Sequence, residues 1–155
     1  MITIKSLILP FLPTVIAMQV HDGDTLRVNV TDQISVVRLA HIDAPELEQP
    51  YGISSRDYLK QLVLNRPLIL QVQNLDFYNR QVAVLKYQQM NINQNMVKMG
   101  LAWWYSEYSK DLTYKRLQQT AISKKLGLWK EDKPVAPWIF RKSLKNRKHL
   151  TEDSK

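Results

Sequence analysis

The chain has 155 residues, of which 45% are hydrophobic and 23% are charged, and these values favour one globular domain with its own core. It contains no cysteine, which excludes disulfides, thiolate metal sites and cysteine nucleophiles. Its 22 lysines and arginines against 14 acids give a net charge of +8, which favours a polyanionic partner such as nucleic acid.

The first stretch, residues 1–13, is apolar and is interpreted as a signal or N-terminal segment. Together with Val15-Ile16-Ala17, which resembles a cleavage site, it predicts a secreted or periplasmic protein, although a cytoplasmic location stays open. The apolar run is interrupted by Pro10 and Pro13 and is too short for a stable membrane span. Cleavage after Ala17 would remove part of the first predicted strand.

Alternating β-branched and polar residues predict strands, and apolar residues at helical spacing predict helices. The predicted strands are residues 14–20, 25–30, 34–40, 68–72 and 81–87. The predicted helices are residues 53–64, 93–99 and 112–126. Five strands with a helix between the third and the fourth match the order of an OB-fold barrel, although other α+β arrangements stay open on the pattern alone.

Residues 141–155 form a basic and polar C-terminal tail. The stretch from Arg141 to His149 is basic and contains no acid, and the tail is expected to be mobile. This stretch can add non-specific affinity for phosphates, but a solvated tail is an equally good interpretation.

Two short motifs place acids and an arginine at the ends of predicted strands. Asp22-Gly23-Asp24-Thr25 joins the first two strands, and Arg38 to Glu46 begins within the end of the third strand and includes Asp43. A buried surface would not tolerate so much charge without a partner. Carboxylates beside an arginine favour a divalent cation and a phosphate.

Each motif taken alone has a simpler interpretation. Asp22-Gly23 is typical of a hairpin turn, Asp43 can stabilise a turn, and an arginine in a strand is most often part of a surface ion pair. The histidines that flank the two motifs, His21 and His41, lack the spacing of zinc ligands.

Taken in order, the motifs resemble the thermonuclease family, the staphylococcal-nuclease-like domains. The matching elements are Val20-His21-Asp22-Gly23-Asp24-Thr25, Arg38-Leu39, Ile42-Asp43-Ala44-Pro45-Glu46, Gln49-Pro50-Tyr51-Gly52, Asp76-Phe77-Tyr78-Asn79-Arg80, Gly100-Leu101-Ala102-Trp103 and Gly127-Leu128-Trp129. The resemblance covers about residues 13–130. It implies a five-stranded OB-fold barrel with three helices, in a nuclease domain over residues 14–140.

The resemblance also implies an activity, namely calcium-dependent hydrolysis of DNA and RNA without strong sequence specificity, leaving 3′-phosphate ends. It assigns Ca²⁺ binding to Asp24, Asp43 and the main-chain carbonyl of Ala44, with Asp22 as a supporting acid. It further assigns the catalytic carboxylate to Glu46 and phosphate binding to Arg38 and Arg80. Whether Glu46 removes a proton from the attacking water or mainly orients it stays open.

Two departures from the family pattern concern the loops. The usual Tyr-Gly-Arg reads Tyr78-Asn79-Arg80, and asparagine is expected to tolerate the left-handed backbone that this turn requires. The loop from Leu47 to Pro50 is short, which affects how a nucleotide is gripped and not the chemistry.

Aromatic residues gather between the second and third predicted helices. Core packing is the expected role of Trp103 and Trp104, whereas Tyr105, Tyr108 and the more distant Tyr78 are candidate substrate contacts.

Three functions are compatible with this sequence. The presence of all the family's charged positions favours a nuclease, expected to be a monomer that acts on DNA and RNA. The alternative is a catalytically weak or inactive nucleic-acid-binding module of the same fold. A protein-interaction or oligosaccharide module would leave the acids and arginines unexplained.

Overall fold

The computed structural model describes residues 14–152, with side chains as far as residue 147. The apolar segment 1–13 and the end of the tail, 153–155, therefore lie outside the described residues. The strands are β1 (Thr14–Val20), β2 (Thr25–Val30), β3 (Gln33–Leu39), β4 (Ile42–Asp43), β5 (Pro67–Leu75), β6 (Gln81–Tyr87), β7 (Met90–Asn91) and β8 (Trp103–Trp104). The helices are α1 (Gly52–Val63), α2 (Ile92–Lys98), α3 (Leu112–Ser123) and α4 (Pro137–Glu152), with a 3₁₀ turn at Gly127–Lys130.

Five strands close into a barrel. They lie in the order β3-β2-β1-β5-β6 with antiparallel neighbours, and a parallel pairing of β3 with β6 joins the two ends. Closure leaves no free edge among these five strands. The predicted α+β fold with a five-stranded OB-fold barrel is confirmed, and the strands lie close to their predicted positions.

The core fills the barrel and the side that α1 and α2 cover. Alternate strand residues point inward, as the two-residue period of a strand requires. Fully buried strand side chains include Leu26, Val28, Val37, Leu39, Leu68 and Leu85. The helices add Leu59, Val63, Ile92, Met96 and Val97 to the same cluster.

Strand pairing brings the two charged motifs together. Thr25, the first residue of β2, is the register partner of Arg38 near the end of β3. Gly23 lets the loop before β2 lie against α1, because an added Cβ would overlap the Ser55 hydroxyl and stand 2.7 Å from the Cβ of Ala44. Both motifs therefore lie at one end of the barrel.

The C-terminal region differs from the prediction. Three helices were expected, whereas the described residues contain four α-helices, and α4 includes residues 141–152, which were expected to be a mobile tail. The boundary predicted after residue 140 thus falls inside a helix. The signal for this helix is Pro137 at its first position, where proline is favoured because the missing N–H has no helical partner.

A search of the described part of the chain finds no helix that is both long and apolar enough to cross a membrane.

Candidate active site

Arg38 lies between two buried aspartates. Its Nε is 3.2 Å from Oδ1 of Asp24, and its Nη2 donates to Oδ1 of Asp43 at 3.0 Å. Its Nη1 donates to the carbonyls of Leu39 and Ile42 at 2.7 and 2.8 Å. Because the guanidinium is bonded on three sides, Arg38 has little freedom and fixes both carboxylates.

Asp24 also binds the backbone of the second motif. Its Oδ2 accepts a hydrogen bond from the backbone N–H of Ala44 at 2.6 Å, and its Oδ1 accepts one from the Thr25 hydroxyl at 3.0 Å. This contact places the backbone N–H of Ala44 against the carboxylate of Asp24. Asp24 is only 5% exposed and Asp43 only 1%, so their charges are neutralised by partners within the protein.

Asp22 closes the first loop. Its Oδ1 accepts hydrogen bonds from the backbone N–H groups of Asp24 and Thr25 at 2.9 and 2.7 Å. Burial and the nearby charge of Asp24 raise the pKa of Asp22 to about 7. Burial likewise raises the pKa of Asp43, against the opposing effect of its hydrogen bonds from Arg141. Burial therefore disfavours the charged form of both carboxyl groups.

A short, well-bonded loop carries Glu46. The backbone N–H of Glu46 donates to Oε1 of Gln49 at 2.9 Å, and the Glu46 carbonyl accepts from the backbone N–H of Gln49 at 2.9 Å. The side-chain amide of Gln49 then donates to the carbonyl of Val135 at 2.9 Å. Glu46 thus sits on a fixed support, while its carboxylate remains half-exposed at the edge of the site.

Arg141, which was predicted to lie in a mobile tail, reaches the site from α4. Its Nη2 is 2.8 Å from Oδ2 of Asp43, and its Nη1 lies 3.2 Å from Oδ1 of Asp43 and 2.8 Å from Oε1 of Glu46. The sequence could not indicate this contact, because 98 residues separate Arg141 from Asp43 and no motif links them. Burial opposes the charge on Arg141, but bonds to the two acids outweigh it and raise its pKa.

Arg80 does not join this cluster through any described contact. Its guanidinium pairs with Asp76 at 2.7 Å, and it lies over the ring of Tyr78. Arg80 immediately precedes β6, two residues before Val82, which is the register partner of Arg38. Asn79, between Tyr78 and Arg80, has a φ of 60°, which confirms the expected left-handed turn.

The candidate aromatic contacts divide into two groups. Tyr105 stacks on Trp138 with ring centroids 5.2 Å apart and planes 5° from parallel, and Trp138 also meets Trp103 edge-on. This group packs α4 against the site. Tyr78 and Tyr108, by contrast, are each 76% exposed and remain available to a ligand.

His41 is a packing residue in this fold. Its ring nitrogens lie 2.9 Å from the Ser109 hydroxyl and 3.0 Å from the amide of Gln73, and its ring packs on Tyr114. Both ring nitrogens of His41 therefore have hydrogen-bond partners within the protein.

The donor set suits a hard cation better than a transition metal. No group of three or more acidic or histidine side chains with metal-binding geometry occurs within the described region. The cluster offers instead two buried carboxylates, Asp24 and Asp43, next to the main chain of Ala44. Calcium accepts such a set, because backbone carbonyls and water complete its coordination. The residues present therefore fit a calcium ion.

The chain matches known proteins over most of its length. A family model described as "Staphylococcal nuclease homologue" matches residues 36–131. The chain is similar to an uncharacterized endonuclease of Haemophilus influenzae, with 41% identity over 83% of this chain and 72% of that protein. It is similar to an uncharacterized endonuclease of Escherichia coli O157:H7, with 40% identity over 80% of this chain and 82% of that protein. A micrococcal nuclease of Shigella flexneri is 36% identical over 83% of this chain and 80% of its own length.

Proposed function

The chain belongs to the staphylococcal nuclease family, and from this membership and the geometry of its site we propose that it is a calcium-dependent endonuclease. Its substrates are DNA and RNA, which it cuts without strong sequence specificity to leave 3′-phosphate ends. One observation carries the proposal: Asp24 of the first motif meets Arg38, Asp43 and Glu46 of the second at one end of the barrel.

Charge explains why a cation is needed. The protein as a whole carries +8, which attracts a polyanion, but the site itself gathers four carboxylates around two guanidiniums. A phosphate that enters this site meets net negative charge. A calcium ion held by Asp24, Asp43 and the Ala44 carbonyl would offset that charge, polarise a phosphate oxygen and hold water.

The remaining chemistry belongs to the protein's own groups. Glu46, half-exposed at the edge of the site, accepts a proton from the attacking water. The water oxygen bonds to phosphorus as the bond from phosphorus to the 5′ oxygen breaks, and the 5′ oxygen takes a proton from solvent. Arg80 is exposed enough to leave Asp76 and donate to the phosphate, whereas Arg38 mainly holds the two aspartates in place.

A digestion assay tests the proposed function. Purified protein should degrade both DNA and RNA with calcium and stop when a chelator is added. Glu46→Gln should slow cleavage about a hundredfold, because the amide cannot accept the proton. Glu48→Gln is the matched control, since it makes the same change at an exposed residue of the same loop and should leave the rate unaltered.

Other outcomes separate the alternatives. Cleavage that persists in chelator contradicts the calcium assignment. Tight binding of DNA with no cleavage under any divalent cation supports the non-catalytic binding module. A phosphatase that removes phosphate from the 3′ ends of the products identifies the bond that was cut, and gel filtration tests the expected monomer.

We also propose export to the periplasm or medium, with a constraint from the fold. Ala17 is buried within β1, and Thr14 to Ile16 pair with β5. Cleavage after Ala17 would remove this part of the barrel, so maturation that preserves the fold would cut before Thr14. N-terminal sequencing of the mature protein tests this.

A further inference from the structure

Arg141 stands apart from the residues that the family resemblance assigns. It comes from α4, beyond residue 131, where the family match ends. Yet it makes a two-pronged contact with Asp43 and a third bond to Glu46. These are the acids to which the proposed function gives cation binding and proton transfer.

Packing places Arg141 there. Ala136, just before α4, is buried, and the carbonyl of Val135 accepts the hydrogen bond from Gln49. One turn before Arg141, Trp138 stacks on Tyr105. The packed start of α4 therefore holds Arg141 next to the acids.

Arg141 and a cation compete for the same atoms. Both carboxylate oxygens of Asp43 lie within 3.2 Å of Arg141, at 3.2 Å for Oδ1 and 2.8 Å for Oδ2. A calcium ion needs at least one of these oxygens, and like charges at that distance repel. Arg141 and a calcium ion at Asp43 therefore weaken each other's binding.

The structure indicates which arginine can leave. The side chain of Arg38 is 13% exposed and is also bonded to two backbone carbonyls, whereas that of Arg141 is 38% exposed and has only carboxylate partners at the site. Arg141 can therefore turn toward solvent without breaking the barrel.

We propose that Arg141 occupies the cation position in the free protein and passes to the substrate phosphate when the cation enters. The inference rests on the proposed function. A freed guanidinium beside the reacting phosphate donates paired hydrogen bonds to its oxygens. Cation and nucleic acid then favour each other's binding, and this coupling is reciprocal. In the absence of nucleic acid, Arg141 stays paired with Asp43 and Glu46, and the protein binds calcium weakly.

The first test measures calcium binding without nucleic acid. Isothermal titration compares the full-length protein with Arg141→Met, which keeps an unbranched apolar stem and removes the charged guanidinium. Calcium should bind about tenfold more tightly to the variant, because one competing charge pair is gone. Lys142→Met, the neighbouring exposed cation on α4, should bind calcium as the unaltered protein does. Equal or weaker binding by Arg141→Met overturns the inference.

A second variant guards against a folding artefact. Arg141→Gln should also tighten calcium binding, and circular dichroism should match the unaltered protein in both variants. If the two variants disagree in the direction of the change, competition by charge is not the cause and the inference fails.

The second test concerns the transfer to phosphate. A short phosphorothioate-linked oligonucleotide, which resists cleavage, is added before the calcium titration. It should tighten calcium binding by a larger factor in the unaltered protein than in Arg141→Met. An equal factor in both proteins overturns the transfer.

The results distinguish this inference from the proposed function. Calcium-dependent cleavage together with unchanged calcium affinity in Arg141→Met leaves the function standing and refutes the role of Arg141. Absence of both cleavage and calcium binding in every protein refutes both.

Discussion

The barrel and α4 hold the same carboxylate in different ways. On the barrel side, Arg38 bridges Asp24 and Asp43 and donates to two backbone carbonyls. On the other side, the partners of Arg141 of α4 among the described residues are side-chain carboxylates, and 38% of its side chain is exposed. The barrel thus builds a fixed frame for the acids, whereas α4 supplies a cap that can be removed.

The comparison shows that the burial of an ion pair, and not its distance alone, decides how easily the pair can be broken. Asp43 has similar short contacts to both arginines, at 3.0 Å and 2.8 Å. A buried charge that loses a buried partner is costly, while a half-exposed partner can be replaced by water at little cost. Distance alone would rank the two arginines as equals, and burial separates them.

The largest expected effect comes from removing the frame. Arg38→Met should lower the free energy of unfolding by about 3–5 kcal/mol, because it leaves Asp24 and Asp43 buried without their shared cation. Arg141→Met, the matched change on α4, should lower it by less than about 1 kcal/mol. Urea unfolding in chelator, followed by circular dichroism, measures both. Equal losses of unfolding free energy in the two variants would contradict the difference described between Arg38 and Arg141.

The sequence predicts the barrel side of the site better than the α4 side. The five barrel strands and the positions of Asp24, Asp43 and Arg38 follow from local patterns, because strand alternation and ordered motifs are written in contiguous residues. Asn79 at its left-handed turn is predictable for the same reason, since its conformation depends on its own side chain.

The contacts of α4 join residues that are far apart in the sequence, so no local pattern predicts them. Eight of the 15 residues from Arg141 onward are charged, which is also typical of a solvated tail. What turns its start into a docked helix is a surface made by Trp103 and Tyr105, far earlier in the chain. Arg80 is a different case, because its partner Asp76 lies within the same turn and belongs to the same motif.

The next effect is a pH dependence that belongs to the barrel side. The pKa of Asp22 rises from 3.8 to about 7, mainly through burial, so between these pH values the folded protein holds a proton that the unfolded chain has lost. The contribution of Asp22 to stability is therefore full below pH 4 and declines as pH rises to about 7. Asp22→Asn keeps the oxygen that accepts two backbone hydrogen bonds and should remove this decline.

The measurement is the free energy of unfolding from pH 4 to 8 in chelator. Asp32→Asn, the same substitution at an exposed position of the β2–β3 turn, should retain the dependence of the unaltered protein. If the free energy of unfolding of Asp22→Asn changes with pH as it does in the unaltered protein and in Asp32→Asn, the proton is not held at Asp22.

The smallest effect sharpens the description of α4 as a removable cap. Trp138→Leu removes the stacked contact with Tyr105 and the edge contact with Trp103, which should cost about 1 kcal/mol of stability. Because looser docking of α4 weakens the hold of Arg141 on Asp43, calcium binding should tighten in the same direction as in Arg141→Met, but less. Ile139→Ala, at a residue of the same helix turn that is 56% exposed, should change neither quantity. Loss of stability in Trp138→Leu without any change in calcium binding would mean that α4 docks independently of the acids, and the cap would then be Arg141 alone.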